Sequence, residues 1–223
     1  MGDYFFELIS YVILVFTGIF PIANPFSTAP VFLALTRNHS KKDRNRIAAK
    51  ASIYMAIVLL LFLCVGAVIL GFFNISIPGL RIAGGLIIII TGIKMLFPDT
   101  NKASDINVPS ENENIAFTPL AMPLLSGPGS ISVVLSMSDR VSNVQSNMKM
   151  LIGYCVVALG IIFTVFACWV VLRSSAKVSK FIGDSGIDVL TRMMAFFLVA
   201  IGVEFLLGGI SEYISTARFT AMV

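Results

Sequence analysis

Six long apolar segments alternate with short polar stretches along this 223-residue chain. A helix that crosses a bilayer needs about 20 apolar residues. The predicted membrane helices are Tyr4–Thr36, Ile47–Phe73, Gly79–Phe97, Ile115–Ser138, Met150–Leu172 and Val189–Ile214. The runs are continuous, unlike the alternating segments of about ten residues in a transmembrane β-barrel. We therefore expect an all-α polytopic membrane protein with six transmembrane helices.

Two of these segments, the first and the fourth, contain residues that interrupt a helix. The first has prolines at positions 21, 25 and 30 beside Asn24, and the fourth contains Met122-Pro123 and Gly127-Pro128. Proline removes a backbone donor, and broken backbone at membrane depth is tolerated only where it is buried in protein or lines a cavity. The first segment would also span about 50 Å as one straight helix, well beyond a hydrocarbon core of about 30 Å. Both helices are therefore predicted to be discontinuous.

Each interruption is predicted to start a new half-helix. Asn24-Pro25 has the composition of an N-cap followed by the first helical position, and Gly127-Pro128 repeats it with a weaker cap. The free amides at these starts, at residues 26–28 and 129–131, are expected to attract a carboxylate. The carbonyl groups freed by Pro21 and Pro123 would accept an ammonium group, so a small zwitterion fits. The predicted substrate-binding residues are Asn24, Pro25, Ser27, Thr28, Ser126, Gly127, Gly129 and Ser130. The alternative is that both breaks are structural kinks satisfied by neighbouring helices and serines.

The polar linker 98–114 divides the chain into a first repeat, residues 1–97, and a second repeat, residues 115–223. With three helices in each, the repeats have inverted topology. The third helices also correspond, since the pattern from Leu80 to Gly92 parallels that from Leu190 to Gly202. Inverted repeats with interrupted helices at matching positions are typical of secondary transporters.

Charge predicts the orientation. Lysine and arginine concentrate in two predicted loops, at residues 37–50 and 173–180, whereas the opposite side has few. The positive side is expected to be cytoplasmic, which puts both termini in the periplasm. A net charge of +4 that is confined to such loops gives no indication of nucleic-acid binding. The first apolar run lacks a basic leader and a cleavage site, so it is predicted to be a retained helix.

Few side chains suggest other chemistry. Glu204 lies near the middle of the last helix and is either a proton-coupling group or a neutral or paired acid within the bundle. Arg81 and Arg192 are expected to anchor helix starts at the interface. His39 is the single histidine, and the three cysteines are dispersed in apolar runs. We therefore expect no enzyme, no metal and no cofactor.

Several motifs resemble those of the MarC family of inner-membrane proteins. They are Phe20–Pro25 with Pro30–Thr36, Asn74–Gly85, Ala121–Pro123 with Gly127–Ile131, Asn114–Phe117 and Leu172–Ser175. The resemblance covers nearly the whole chain and implies six helices with both termini in the periplasm. It also implies a place among amino acid exporters of the LysE type, and some relatives are described as transporters of small neutral amino acids, glycine and alanine. Glu204 departs from the glutamine common in the family.

The expected function is alternating-access transport of a small neutral amino acid or similar metabolite. A second hypothesis is a non-transporting membrane protein that acts through partners in envelope stress or resistance. An intramembrane enzyme is disfavoured because no catalytic base lies at membrane depth. The expected surroundings are the lipid bilayer, and a homo-oligomer is left open.

Overall fold

The structure, a computed structural model, describes residues 2–36, 39–97, 116–144 and 146–220. Its elements are α1 Gly2–Ala23, α2 Pro25–Leu35, α3 Lys41–Phe72, α4 Ile77–Leu96, a π-helix Ala116–Leu125, α5 Pro128–Ser142 and α6 Asn147–Thr220. The described part of the chain is therefore all-helical, as predicted. The predicted linker 98–114 lies outside the described residues.

The helices differ in how they could cross a membrane. Four stretches are long and apolar enough, namely Lys41–Phe72, Ile77–Leu96, Asn147–Ala176 and Asp188–Ser215. The pair Leu8–Ala23 and Pro25–Leu33, bent by 41°, makes a fifth. The predicted fourth span instead consists of the ten-residue π-helix followed by α5. Helix lengths in the described residues thus support four or five spans, and the sixth is not established by them.

The predicted boundaries need two corrections. Helix α3 begins at Lys41 and not at Ile47, because the hydroxyl of Ser40 accepts a hydrogen bond from the amide of Asp43 and caps the helix there. The basic segment 173–180, predicted as a loop, is helical within α6. The interruption comes at Gly183, whose φ of 73° and ψ of 169° divide α6 into a first arm, residues 147–182, and a second arm, residues 184–220.

The bundle is packed on its inside and apolar on its outside. Large buried side chains come from every element, among them Ile19, Phe32, Met55, Leu59, Ile88, Leu120, Val134, Ile161 and Leu198. Exposed positions are also apolar along the spans, for example Ile57, Ile90, Leu159 and Phe196. An apolar outer surface suits hydrocarbon rather than water.

Two faces of the bundle can be named from α3. We call them the Lys41 face, where α3 begins, and the Phe72 face, where it ends. A β-carbon added to Gly129, at the start of α5, would lie 3.0 Å from Ile88 of α4, and one added to Gly84 would lie 2.7 Å from Ser132. Helix α5 therefore runs antiparallel to α4 and ends towards the Phe72 face. Helix α4 starts on that face and returns to the Lys41 face.

Helix α4 packs against the second arm of α6 through a reciprocal set of contacts. A β-carbon added to Gly92 would lie 3.0 Å from the carbonyl oxygen of Ala195 and 3.1 Å from the amide nitrogen of Val199. A β-carbon added to Gly202 would lie 3.0 Å from the carbonyl oxygen of Gly85 and 2.9 Å from the amide nitrogen of Ile89. The sequence predicts that Gly92 corresponds to Gly202. With that correspondence, Ala195 and Val199 stand to Gly92 as Gly85 and Ile89 stand to Gly202. The two helices therefore run antiparallel.

Candidate functional site

The first break is built around Asn24. This residue has a φ of 35° and is buried, and its side-chain oxygen accepts a hydrogen bond from the amide of Ser27 at 3.3 Å. It therefore caps α2, which begins at Pro25 as predicted. Asparagine tolerates a left-handed conformation better than most residues, and it also supplies the capping oxygen. The side-chain amide nitrogen of Asn24 lies 3.8 Å from the sulfur of Met95, which is a weak acceptor.

This cap corrects one prediction for the site. The amides of Ser27 and Thr28 were expected to be free for a ligand. Instead, Asn24 occupies both, through its side-chain oxygen for Ser27 and its carbonyl oxygen for Thr28. The hydrogen-bond donor that the first break offers is therefore the carboxamide of Asn24.

The second break confirms the predicted helix start. Helix α5 begins at Pro128 with Gly127 as its N-cap, and no side chain caps it. The first intrahelical bond runs from the amide of Ile131 to the carbonyl of Gly127 at 3.1 Å. In the described part of the chain, the amides of Gly129 and Ser130 donate to no acceptor, although both residues are buried. Buried backbone donors are rarely left unpaired, so these two amides indicate a place for a ligand or water.

The two breaks lie against each other. A β-carbon added to Gly129 would lie 3.0 Å from the side chain of Ile22, two residues before Asn24, and equally close to Ile88 of α4. The absence of a side chain at Gly129 thus allows the start of α5 to reach the end of α1. The prediction that the breaks face each other is consistent with this contact.

The hydroxyl groups of both breaks bond within their own break. Ser27 and Thr28 each donate to the carbonyl of Asn24 at 3.3 Å. Ser126 donates to the carbonyl of Ala121 at 2.7 Å, and Ser130 makes a long contact of 3.5 Å with the carbonyl of Leu125. The carbonyls of Asn24 and Ala121 also accept backbone amides, from Thr28 and Ser126, so these hydroxyl bonds add to existing backbone bonds. The hydroxyl of Ser130 is the least firmly engaged of the four.

Glu204 lies apart from the breaks. In the second arm of α6, Gly202 and Leu206 face α4, and Glu204 is exposed. Two residues correspond to about 200° around a helix, so Glu204 is on the side turned away from α4. A place within the bundle, one of the sequence interpretations, is therefore wrong, and its coupling role stays a prediction.

A partly buried ion pair near the start of α4 was missed in the sequence, where Arg81 was expected to be an interfacial anchor. The guanidinium of Arg81 donates to the hydroxyl of Ser136 at 3.1 Å and to the carboxylate of Glu212 at 2.5 Å. The side chain of Arg81 is 10% exposed and that of Glu212 is 41% exposed. Because the partners are 55 and 131 residues away, sequence spacing gives no signal for the pair.

This cluster joins the two halves of the chain. Arg81 belongs to the first half, and both of its hydrogen-bond partners belong to the second. Asp139 and Arg140, at the end of α5, are close enough to interact electrostatically with Arg81. The cluster lies on the Phe72 face, away from the first break, which contacts the far end of α4 at Met95.

The fold and these sites define a polytopic α-helical membrane protein in which two helix interruptions meet inside the bundle. The chain matches the description "MarC family integral membrane protein" over residues 9–214 and belongs to this family. It is 39% identical over 206 residues to the inner membrane protein MarC of Escherichia coli O1:K1 / APEC, covering 88% of this chain and 92% of the relative. The MarC proteins of Escherichia coli K12 and Shigella flexneri are 38% identical over the same lengths. No solved structure matches the chain. The apolar helices and these relatives make it a multi-pass protein of the inner membrane.

Proposed function

We propose that this protein is a secondary transporter for a small neutral amino acid such as glycine or alanine. The observation that carries the proposal is the pair of buried, unpaired amides at Gly129 and Ser130, at a helix start that touches the first break. A helix N-terminus with free amides attracts a carboxylate. The MarC family is a family of integral membrane proteins, which agrees with transport across the bilayer.

The proposed site combines donors from both breaks. The substrate carboxylate would bind the amides of Gly129 and Ser130, with the carboxamide of Asn24 and the hydroxyl of Ser130 as further donors. The ammonium group would bind carbonyl oxygens that the prolines of the breaks leave without helical donors, because proline has no N–H group.

The reciprocal contacts between α4 and the second arm of α6 support an inverted-repeat architecture. The contacts of Gly92 with Ala195 and Val199 match those of Gly202 with Gly85 and Ile89. We propose that a local two-fold axis relates the two helices and is part of a relation between residues 1–97 and 115–223, with six spans and both termini in the periplasm. Alternating access would then be a movement of one repeat relative to the other around the site.

The ion pair between Arg81 and Glu212 would hold the Phe72 face closed. It joins a helix of the first half to a helix of the second, and Ser136 ties the same guanidinium to α5. Opening that face would separate the halves and break the pair. In this mechanism, the pair contributes to the relative stability of the two access states.

The test is exchange of labelled glycine or alanine by the purified full-length protein in liposomes. Vesicles are preloaded with the unlabelled amino acid, and uptake is compared with protein-free vesicles under several ion gradients. Two variants probe the site: Asn24→Asp keeps the capping oxygen but removes the donor, and Ser130→Ala removes a hydroxyl with a weak internal partner. Loss of a hydrogen bond to a charged group is worth about 1.5–3 kcal/mol, so exchange at low substrate should fall about tenfold or more.

A matched control is Ser142→Ala. Its hydroxyl donates to the carbonyl of Asp139 at the end of α5, away from the breaks. Exchange by this variant should equal that of the wild type. Absence of exchange by the wild-type protein for every small amino acid and gradient would overturn the proposal.

A second candidate is a membrane protein that acts through partners without transport. The observation in its favour is that Ser27, Thr28 and Ser126 use their hydroxyl groups for carbonyl groups of their own break. Such bonding suits a structural kink. In that case Asn24→Asp and Ser130→Ala should leave the biological phenotype intact, whereas a transporter should lose it.

A further inference from the structure

We propose that the outward side of the first three turns of α3 binds the headgroup of an anionic phospholipid. Lys42, Arg46 and Lys50 form this surface, which we call the basic stripe. All three are exposed and follow one another at four-residue intervals. Residues four apart on a helix lie on the same face, so the three cations share one side of α3.

The basic stripe continues without a change of direction into lipid-facing side chains. Ile53, Ile57 and Leu61 follow Lys50 at intervals of three, four and four residues, and each is more than half exposed. The opposite face of α3 is buried, at Ala51, Met55 and Leu59 among others. The side of α3 that faces the lipid chains therefore carries the three cations at the point where the helix leaves the hydrocarbon layer.

The depth of the stripe matches the headgroup layer. The sequence from Ala51 to Phe73 has no charged residue, so the hydrocarbon span starts near Ala51. At 1.5 Å per residue, Arg46 lies about 6 Å and Lys42 about 12 Å along the axis from Lys50. The polar layer on each side of a bilayer is about 5–8 Å thick, which places Lys50 and Arg46 at the phosphate level.

Neighbouring groups leave the stripe without a counter-charge. Asp43 is turned to the cap, where the hydroxyl of Ser40 donates to its carboxylate at 2.6 Å. Arg44 points the other way and donates to the carbonyl of Thr36 at 3.2 Å, which fixes the start of α3 against the end of α2. In the described part of the chain, none of the three stripe residues forms an ion pair.

A lipid headgroup fits this surface better than a soluble anion. The apolar continuation supplies contacts for the acyl chains of the same molecule whose phosphate meets the cations. A basic residue close to an anionic membrane surface contributes about 1 kcal/mol, which is about a fivefold preference per charge. The proposal does not depend on transport activity.

The experiment measures lipid preference next to the stripe by tryptophan quenching. Trp169 is the only tryptophan, so Trp169→Phe with Ile53→Trp places a single reporter at an exposed position beside Lys50. The full-length protein is reconstituted with phosphatidylcholine and phosphatidylglycerol, one of them carrying brominated chains in each series. We expect phosphatidylglycerol to bind at the reporter at least about fivefold more strongly than phosphatidylcholine.

Two comparisons make the test specific. Arg46→Gln with Lys50→Gln should reduce the preference to about one, whereas Lys41→Gln with Lys149→Gln, an equal change in net charge at exposed positions off the stripe, should keep it. A reporter at Phe72, at the other end of the same helix, should show no preference.

Equal preference at both reporters, or an equal loss in both charge variants, would overturn the proposal and indicate general attraction to a positive protein. No preference at Ile53 would overturn it as well.

Discussion

Gly85 and Gly202 pack backbone against backbone where α4 crosses the second arm of α6. A β-carbon added to Gly85 would lie 2.7 Å from the carbonyl oxygen of Gly202, and one added to Gly202 would lie 3.0 Å from the carbonyl oxygen of Gly85. Side chains at either position would separate the helices. Small residues at such crossings allow close packing in membranes, where helix association depends on van der Waals contact.

Alanine at Gly92 and alanine at Gly202 should destabilise the protein to a similar extent. In each case the new methyl group meets backbone atoms about 3 Å away, and overpacking of this kind costs about 1–3 kcal/mol. Gly208→Ala is the control, because nothing lies within 4 Å of its added β-carbon. Unfolding by SDS titration measures the difference. Destabilisation by Gly208→Ala as large as by the other two would contradict this packing.

Asn24 should tolerate glycine better than alanine. Its positive φ is unfavourable for alanine by about 1–2 kcal/mol, and loss of the capping oxygen adds about 1 kcal/mol. Glycine accepts the conformation and is nearly as good at the N-cap. We expect Asn24→Ala to lower the free energy of unfolding by about 2 kcal/mol and Asn24→Gly by much less. Exchange activity should be lost in both variants, because both lack the carboxamide; retained exchange in Asn24→Gly would limit Asn24 to a structural role.

Gly183 should resist replacement although space around it is open. Its φ of 73° with ψ of 169° is accessible essentially only to glycine, and nothing lies within 4 Å of an added β-carbon. Gly183→Ala should therefore cost about 1–3 kcal/mol through backbone strain alone. Gly71→Ala, also in open space but helical, is the matched control. If the two variants unfold at the same SDS concentration, the break between the arms of α6 is not at Gly183.

Arg81 and Glu212 should be energetically coupled. Removing one partner of a buried pair costs about 3–5 kcal/mol, but Glu212 is partly exposed, so we expect about 2 kcal/mol for Arg81→Gln or Glu212→Gln. The double variant should be little worse than either single one, since the second change leaves no isolated charge. Additive losses in this double-mutant cycle would show that the two side chains act independently.

Closure of the Phe72 face has a separate readout. In a variant without the native cysteines, Ser132→Cys places a thiol on α5 where this helix packs against Gly84 of α4. This thiol is buried and should react slowly with a water-soluble thiol reagent. Glu212→Gln should accelerate this reaction if the ion pair holds the face closed. An unchanged labelling rate would mean that the ion pair contributes to stability only and does not hold the face closed. The expected result of the exchange assay would stay the same.

The sequence by itself determined the class of protein and the positions of both breaks. Long apolar runs need a bilayer, and Asn24-Pro25 and Gly127-Pro128 specify helix starts through local geometry, because proline fixes φ and lacks a donor. These effects act within a few residues, so spacing along the chain is sufficient to find them.

Only the tertiary structure decided which groups meet. The amide of Ser27 is not free, because it donates to the side-chain oxygen of Asn24. Arg81 forms an ion pair with Glu212, which is 131 residues away along the chain. Glu204 faces outward because Gly202, two residues earlier on the same helix, packs against α4. Such outcomes depend on how helices distant in sequence pack, and the energy of that packing is not encoded in any one segment.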